Sequence, residues 1–360
     1  MSSDDSEDDT STIVLDIGAY ETRANFAGED CPRVITSSQV DYHSQSGCFK
    51  PIISDGSYDI DNMEVMINFC FNNLMTIPHG TSLANEKAVL LSEKIHTKKE
   101  EREKLAELMF EQFTVPGYLV ESSPLLSLYS SGRGSGLILE SGYTSTETLV
   151  VYEGYIFKNS IMNEDIGSLY INKFLGSKYP SITSDRQYNV LREKFNEEEL
   201  KESSKRNDFT LPDGTVVNIE RNDIHNCLEG MFNYSSLSFP GHFSNSFNHG
   251  NLQEMVYNAV MGSPIECRSH VFTNIILAGG NTLISGFKDH LQKNLEEIIH
   301  KSHTKSLKTK VIAAPERKYF PWIGGSIVGS LSFSRNQFMT KEMYEENGAH
   351  FINKHCPQLK

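Results

Sequence analysis

Nowhere in this 360-residue chain do about eighteen apolar residues follow one another, so no segment is long enough to cross a bilayer as a helix, and no membrane role is expected. Positive charge is scarce too: 33 Lys and Arg stand against 47 Asp and Glu, a formal net charge of -14. Nonspecific contact with nucleic acid needs a basic face, so direct nucleic-acid binding is not expected. The six cysteines, Cys31, Cys48, Cys70, Cys227, Cys267 and Cys356, include no Cys-x-x-Cys pair, so neither a zinc ribbon nor a dense disulfide framework is readable. Reduced thiols in a cytosolic or nuclear compartment are the expectation. Residues Met1 to Thr12 lack an apolar core, so an ordinary secretory signal is not expected. Residues 1–11 read as a disordered acidic tail.

What is present is a repeated grammar. The length suits two domains or one bilobed fold rather than a single core. Thr12 to Asp16 is a β-type run ending on an acid; Ile17-Gly18-Ala19-Tyr20 turns, and Thr22 to Ala27 runs back. Gly136 to Glu140, Ser141-Gly142-Tyr143-Thr144 and Thr146 to Tyr152 repeat that pattern. Two strand-turn-strand hairpins whose tips can face a phosphate, about 120 residues apart, form an internal duplication. Ile275 to Gly286 adds an apolar strand ending in Gly279-Gly280 and a helix-starting Asn281-Thr282. A tight loop of that kind leads to a helix N-terminus, where backbone N–H groups can meet an anion. Asp61 to Asn73 and Leu252 to Met261 read as core helices, and Lys98 to Phe113 as a helix whose charged start, Lys98 to Lys104, is a solvated face.

The stretch Val311 to Leu331, containing Pro315-Glu-Arg-Lys-Tyr-Phe-Pro-Trp-Ile-Gly-Gly325, and the tail Phe338-Met-Thr-Lys-Glu-Met-Tyr-Glu-Glu-Asn-Gly348 resemble the C-terminal signature of the actin family. The first hairpin, Asp16 to Arg33, is similar to the actin N-terminal motif with several substitutions. The resemblance covers roughly Thr12 to Cys356, with gaps near residues 36–60 and 233–251. It implies an α/β, actin-like ATPase fold, with two lobes of duplicated βββαβα type around a nucleotide cleft. The expected division is 12–124 plus 320–360 for the first lobe, with a reduced small subdomain at 36–60, and 125–319 for the second.

The same resemblance implies a site. Asp16, Gly18 and Arg23 match the first phosphate hairpin, and Glu140 and Gly142 the second. Arg192 and Glu193 match residues flanking adenine and ribose. Gly279, Gly280 and Asn281 match the loop beside the α-phosphate, and Lys318 the adenine-side hinge. Asp16 and Glu140 would hold Mg2+ indirectly, through its waters. The departures matter as much. Ala19 and Tyr20 stand where actins place Ser-Gly, so a γ-phosphate hydroxyl is lost and a ring replaces a glycine that lets backbone approach phosphate. Actins read Asp-Ser-Gly-Asp-Gly-Val-Thr-His at the second hairpin, where this chain has Glu140-Ser-Gly-Tyr-Thr-Ser-Thr-Glu147. Ser123 and Glu147 therefore occupy the two water-positioning places, so no catalytic residue is assigned; each such role is worth roughly 10²–10⁴ in rate.

The expectation is an actin-related structural protein, a subunit of a larger actin-type assembly that binds ATP or ADP weakly or not at all, with or without Mg2+, and hydrolyses little. Its partners would be an actin or actin-related protein and other subunits of a complex, in the cytoplasm and cytoskeleton or alternatively the nucleus. Two alternatives stay open. One is a conventional, polymerising, ATP-hydrolysing actin; the other is a nuclear actin-related subunit of a chromatin-remodelling complex. A small-molecule kinase on the same fold would need a carboxylate base aimed at a substrate hydroxyl, and no signature of one is present beyond Glu140 and Glu147.

Overall fold

The computed structural model describes residues 12–41, 49–54, 57–74, 86–182, 184, 187–188, 206–211, 214–233, 250–302 and 307–357. The acidic tail, Arg192, Glu193 and most of the stretch 233–251 lie outside these residues. The chain divides into two compact units, Met1–Ser130 with Pro321–Lys360, and Ser131–Phe320.

The first unit is built on β1 (Ile13–Ile17), β2 (Glu21–Phe26), β3 (Val34–Ser37), β4 (Val89–Glu93) and β5 (Gly117–Ser122). With the two-residue strand Met339–Thr340 they form one sheet in the order Met339–Thr340, β5, β4, β1, β2, β3. β1 and β2 are an antiparallel hairpin, while β1, β4 and β5 run parallel. Parallel central strands are covered on both faces and read as continuous apolar runs, and every residue of β1 and β4 is buried. Helix α1 (Ile60–Leu74) turns Met63, Met66, Ile67, Cys70, Phe71 and Leu74 inward at helical spacing. Within 39–58 the described residues form two short antiparallel pairs, Gln39–Asp41 with Phe49–Pro51 and Ile53–Ser54 with Ser57–Tyr58.

The second unit repeats the plan. β6 (Gly136–Ser141) and β7 (Thr146–Tyr152) form the hairpin; β8 (Tyr155–Ile156) and β9 (Met162–Glu164) pair with β7. β10 (Ile275–Ala278) lies parallel to β6 and to β11 (Val311–Ile312). The helices Leu252–Met261 and Phe287–Lys301 bury Leu252, Val256, Phe287, Leu291 and Leu295 against this sheet's core. Among the described residues no helix is long and apolar enough to cross a membrane.

Two sequence readings are corrected, and one helix reading is refined. The expected helix start at Asn281-Thr282 is instead a single 3₁₀ turn, Gly280–Leu283. The long helix begins only at Phe287, after Gly286 takes a left-handed φ of 81°. The helix Lys98 to Phe113 is an α-helix, α2 (Lys99–Glu107), that widens into a π turn at Leu108–Gln112. There Phe110 stacks on Tyr344 with centroids 4.7 Å apart, and the Tyr344 hydroxyl donates to Glu111 at 2.5 Å. Lastly, the charged start of α2 is not all solvated.

Arg102 is 1% exposed. Its Nε donates to Glu93 Oε2 at 3.0 Å, its Nη1 to Asn353 Oδ1 at 3.1 Å and its Nη2 to the Cys356 carbonyl at 2.7 Å. One guanidinium thus joins α2, the end of β4 and the C-terminal turn. A periodicity reading assigns Arg to the surface because it almost never goes inside unpaired; here three acceptors satisfy it. Removing one partner of such a buried pair strands the other charge, which costs about 3–5 kcal/mol. Arg102→Ala should therefore move the urea midpoint sharply down, while Arg102→Met combined with Glu93→Leu should recover most of the loss. A single-variant change below about 1 kcal/mol, the size typical of an exposed pair, would contradict this account.

Candidate functional site

Each unit carries one half of the predicted site. In the first, the hairpin register pairs Asp16 with Arg23, and the parallel register continues from Asp16 to Ser92 on β4 and from Ser92 to Glu121 on β5. Residues in register share a face of a sheet, so four polar side chains line up across the ends of β2, β1, β4 and β5. Asp16, 5% exposed, accepts from Arg23 Nη1 through Oδ2 at 2.7 Å and from the Ser92 hydroxyl through Oδ1 at 2.6 Å. Arg23 Nη2 donates to Glu21 Oε2 at 2.9 Å. Burial pulls the Arg23 guanidinium's pKa down, but Asp16 and Glu21 outweigh it and hold the group above its ordinary value.

The tip of this hairpin is closed on itself. The Gly18 amide donates to the Glu21 carbonyl at 3.2 Å, and a Cβ on Gly18 would sit 3.1 Å from that same oxygen. The Ser38 amide donates to the Tyr20 carbonyl at 2.9 Å, and the Thr22 and Ser38 hydroxyls bond at 2.8 Å. Ser123, the first residue of helix α3 (Ser123–Ser130), is buried at 7% exposure.

In the second unit Glu140 and Glu147 are directly opposed across β6 and β7, and Glu147 is also in register with Asn163 on β9. Glu147 is buried. Below them a neutral chain fixes the hairpin. Asn281 Nδ2 donates to Ser141 Oγ at 3.0 Å, Ser141 shares a 2.8 Å bond with Thr146, and the Thr146 hydroxyl donates to the Ile166 carbonyl at 2.6 Å. Because Thr146 spends its only proton on Ile166, Ser141 is the donor to Thr146. Asn281 is fully buried.

The glycines have local explanations. Gly279 has φ 85°, and a Cβ there would lie 2.2 Å from the Ser141 carbonyl oxygen; only glycine fits so close a crossing. Gly280 is less confined, its nearest neighbour being Cγ of Lys318 at 3.8 Å. The Gly142 carbonyl accepts from the Ser168 amide at 3.0 Å and the Tyr143 carbonyl from the Leu169 amide at 2.8 Å. The hairpin tip thereby takes up N–H groups at the start of the helix Ser168–Lys178, groups that in other loops greet an anion. The Gly-Gly loop is bolted by Arg317, which donates to the Thr282 hydroxyl and carbonyl, each at 3.1 Å. Its neighbour Lys318 stands over the Tyr319 ring at 5.6 Å.

Sequence reasoning missed Ser92, Glu121 and Arg317. For the first two a signal existed: polar residues at the carboxyl ends of apolar parallel strands mark where open α/β sheets place their ligands. For Arg317 nothing local distinguishes it from Lys318. Among the described residues no group of three or more His, Cys, Asp or Glu is placed to hold a metal.

Two α/β units, each carrying a hairpin of the same design beside parallel strands, define a duplicated two-lobe α/β protein. A family model described as Actin matches residues 7–184 and 183–357, and the chain belongs to the actin family. Members of that family generally bind ATP or ADP with Mg2+. The donor set here fits that group poorly. In the first unit both oxygens of Asp16 already accept strong bonds, and the hairpin's one cation is shared between two carboxylates. In the second, two carboxylates oppose each other where polyphosphate would need positive charge.

Burial lifts the Glu121 pKa above the usual carboxylate range, against the lowering pull of the Ser122 amide and Arg102. A carboxyl whose folded-state pKa is raised favours the folded state while protonated and loses that advantage as pH rises through the folded value. Glu121→Gln keeps an acceptor for the Ser122 amide and removes the loss. It should raise the melting temperature at pH 7, with the gain shrinking as pH falls through the carboxylate range. A gain unchanged between pH 4 and pH 7 would contradict the assignment.

Proposed function

We propose that this protein is a degenerate actin-type subunit that joins a larger actin-type assembly and neither hydrolyses ATP nor polymerises by itself. The observation that carries the reading is the commitment of Asp16 to Arg23 and Ser92, which occupies the first Mg2+-side carboxylate with the protein's own donors. Ser123 and Glu147 at the two water-positioning places support it, since Ser is too short to reach and orient a water as Gln does, and a carboxylate repels the γ-phosphate. ATP or ADP would bind weakly if at all. By resemblance to the family, the positions matched to nucleotide contacts are Gly18, Gly142, Arg192, Glu193, Gly279, Gly280, Asn281 and Lys318, and those matched to Mg2+ are Asp16 and Glu140.

The assembly part of the proposal rests on a different contrast. The segment 36–60 is about half the length actins carry there, whereas Trp322 to Cys356 keeps the family's signature. In the same unit Tyr129, Ile327 and Leu331 expose apolar surface. A head-to-tail filament needs two complementary surfaces on every subunit, and this chain offers one in good order. An actin or actin-related partner and further subunits of a complex follow from that, in a cytoskeletal setting in the cytoplasm or, alternatively, in the nucleus.

One tube tests both halves. Purified protein with ATP and Mg2+ in polymerising salt should release phosphate no faster than a buffer blank and should stay in the supernatant on high-speed sedimentation. Mg2+-dependent phosphate release would overturn the non-hydrolysing reading, and a pellet of regular filaments would overturn the assembly reading.

A further inference from the structure

We infer that Arg23 is a built-in counter-cation that does for the first hairpin what a bound divalent ion would otherwise do, so that this unit folds to full stability with neither metal nor nucleotide. The inference deepens the reading above and rests on it only in taking the Asp16 hairpin as the degenerate nucleotide site.

A carboxylate buried at the end of a central strand must be compensated, because leaving a charge out of water without a partner is expensive. Asp16 has 7% of its side chain exposed, and Arg23 only 11%. The guanidinium reaches Asp16 directly across the antiparallel pair, in register, so the backbone itself aims it. Ser92 then takes the second oxygen from the parallel neighbour. A hydrated cation beside Asp16 would have to compete with a charged donor at 2.7 Å and a hydroxyl at 2.6 Å. Glu21 matters equally. It holds the other arm of the guanidinium at 2.9 Å, with 15% of its own side chain exposed, and so turns Arg23 along the strand toward its neighbours. One positive and two negative groups leave the trio net negative, which disfavours an approaching phosphate as well. A lysine in this place would offer a single point charge; the planar fork of arginine satisfies two carboxylates at once.

The test is a set of thermal melts on nucleotide-stripped full-length protein, in EDTA and in millimolar Mg2+ without nucleotide. The wild type should melt at the same temperature in both. Arg23→Met should melt lower in EDTA by roughly 5 °C or more and regain part of the loss in Mg2+, because Asp16 is then open to an external cation. Arg23→Met with Asp16→Asn should recover in EDTA and ignore Mg2+; it also keeps the question answerable should the single variant fold too poorly to melt. A wild type that loses stability in EDTA, or an Arg23→Met protein no less stable than wild type, would overturn the inference. Phosphate release is a separate readout: an active enzyme with metal-independent melting would sink the functional proposal alone.

Discussion

A carboxylate that a strand carries into the interior has to find a positive partner, and Asp16 finds one in its own hairpin. Much of the first unit follows from that demand. The pairing of Asp16 with Arg23 fixes the register of β1 against β2, and the alternation of strand side chains then fixes which residues face the core. Ser92 ties the same carboxylate to β4, so the central three strands are clamped at their polar ends as well as by the apolar packing of Val14, Leu15, Leu90 and Leu91. Arg102 applies the same logic at the far side of β4, where it pairs with Glu93 and holds the chain's C-terminal turn.

The second unit meets a similar backbone problem with neutral groups. Its hairpin is stitched by the run from Asn281 through Ser141 and Thr146 to the Ile166 carbonyl, with no buried cation in that run. The close crossing of Gly279 over Ser141 and the capping of the Ser168 helix by the hairpin tip use up backbone freedom and N–H groups internally. The two hairpins of one design are thus held by different routes, one ionic and one by hydrogen-bonded dipoles. Both routes commit to the protein itself polar groups that the proposed reading would otherwise leave for a ligand.

Much of this was legible in the sequence. The paired hairpins, the helix Leu252–Met261 and the Gly-Gly strand end all carry local signals: β-type runs, turn residues and a stripe of helical period. The family signature at Val311 to Leu331 made the class readable. What stayed hidden depends on contacts between residues far apart in sequence. Arg102 looks like any surface arginine until Asn353 and the Cys356 carbonyl close over it. Asn281 looks like a helix cap, but its amide is drawn to a serine 140 residues away, and the helix waits for Gly286. The Asp16–Arg23 pair lay between these extremes: a short tip at Gly18-Ala19-Tyr20 already places the two opposite each other, yet only the three-dimensional arrangement shows that the guanidinium is shared with Glu21.

The central claim is that Asp16 of the first hairpin is committed to the protein's own donors rather than to a ligand. Calorimetric titration of ATP and of ADP into nucleotide-stripped protein with Mg2+ present addresses it most directly. The account predicts weak binding with nearly equal dissociation constants for the two, because Asp16 is already held by Arg23 and Ser92 and Ala19 lacks the hydroxyl expected to meet the γ-phosphate. Tight, Mg2+-dependent binding of ATP over ADP by tenfold or more, about 1.4 kcal/mol, would contradict it.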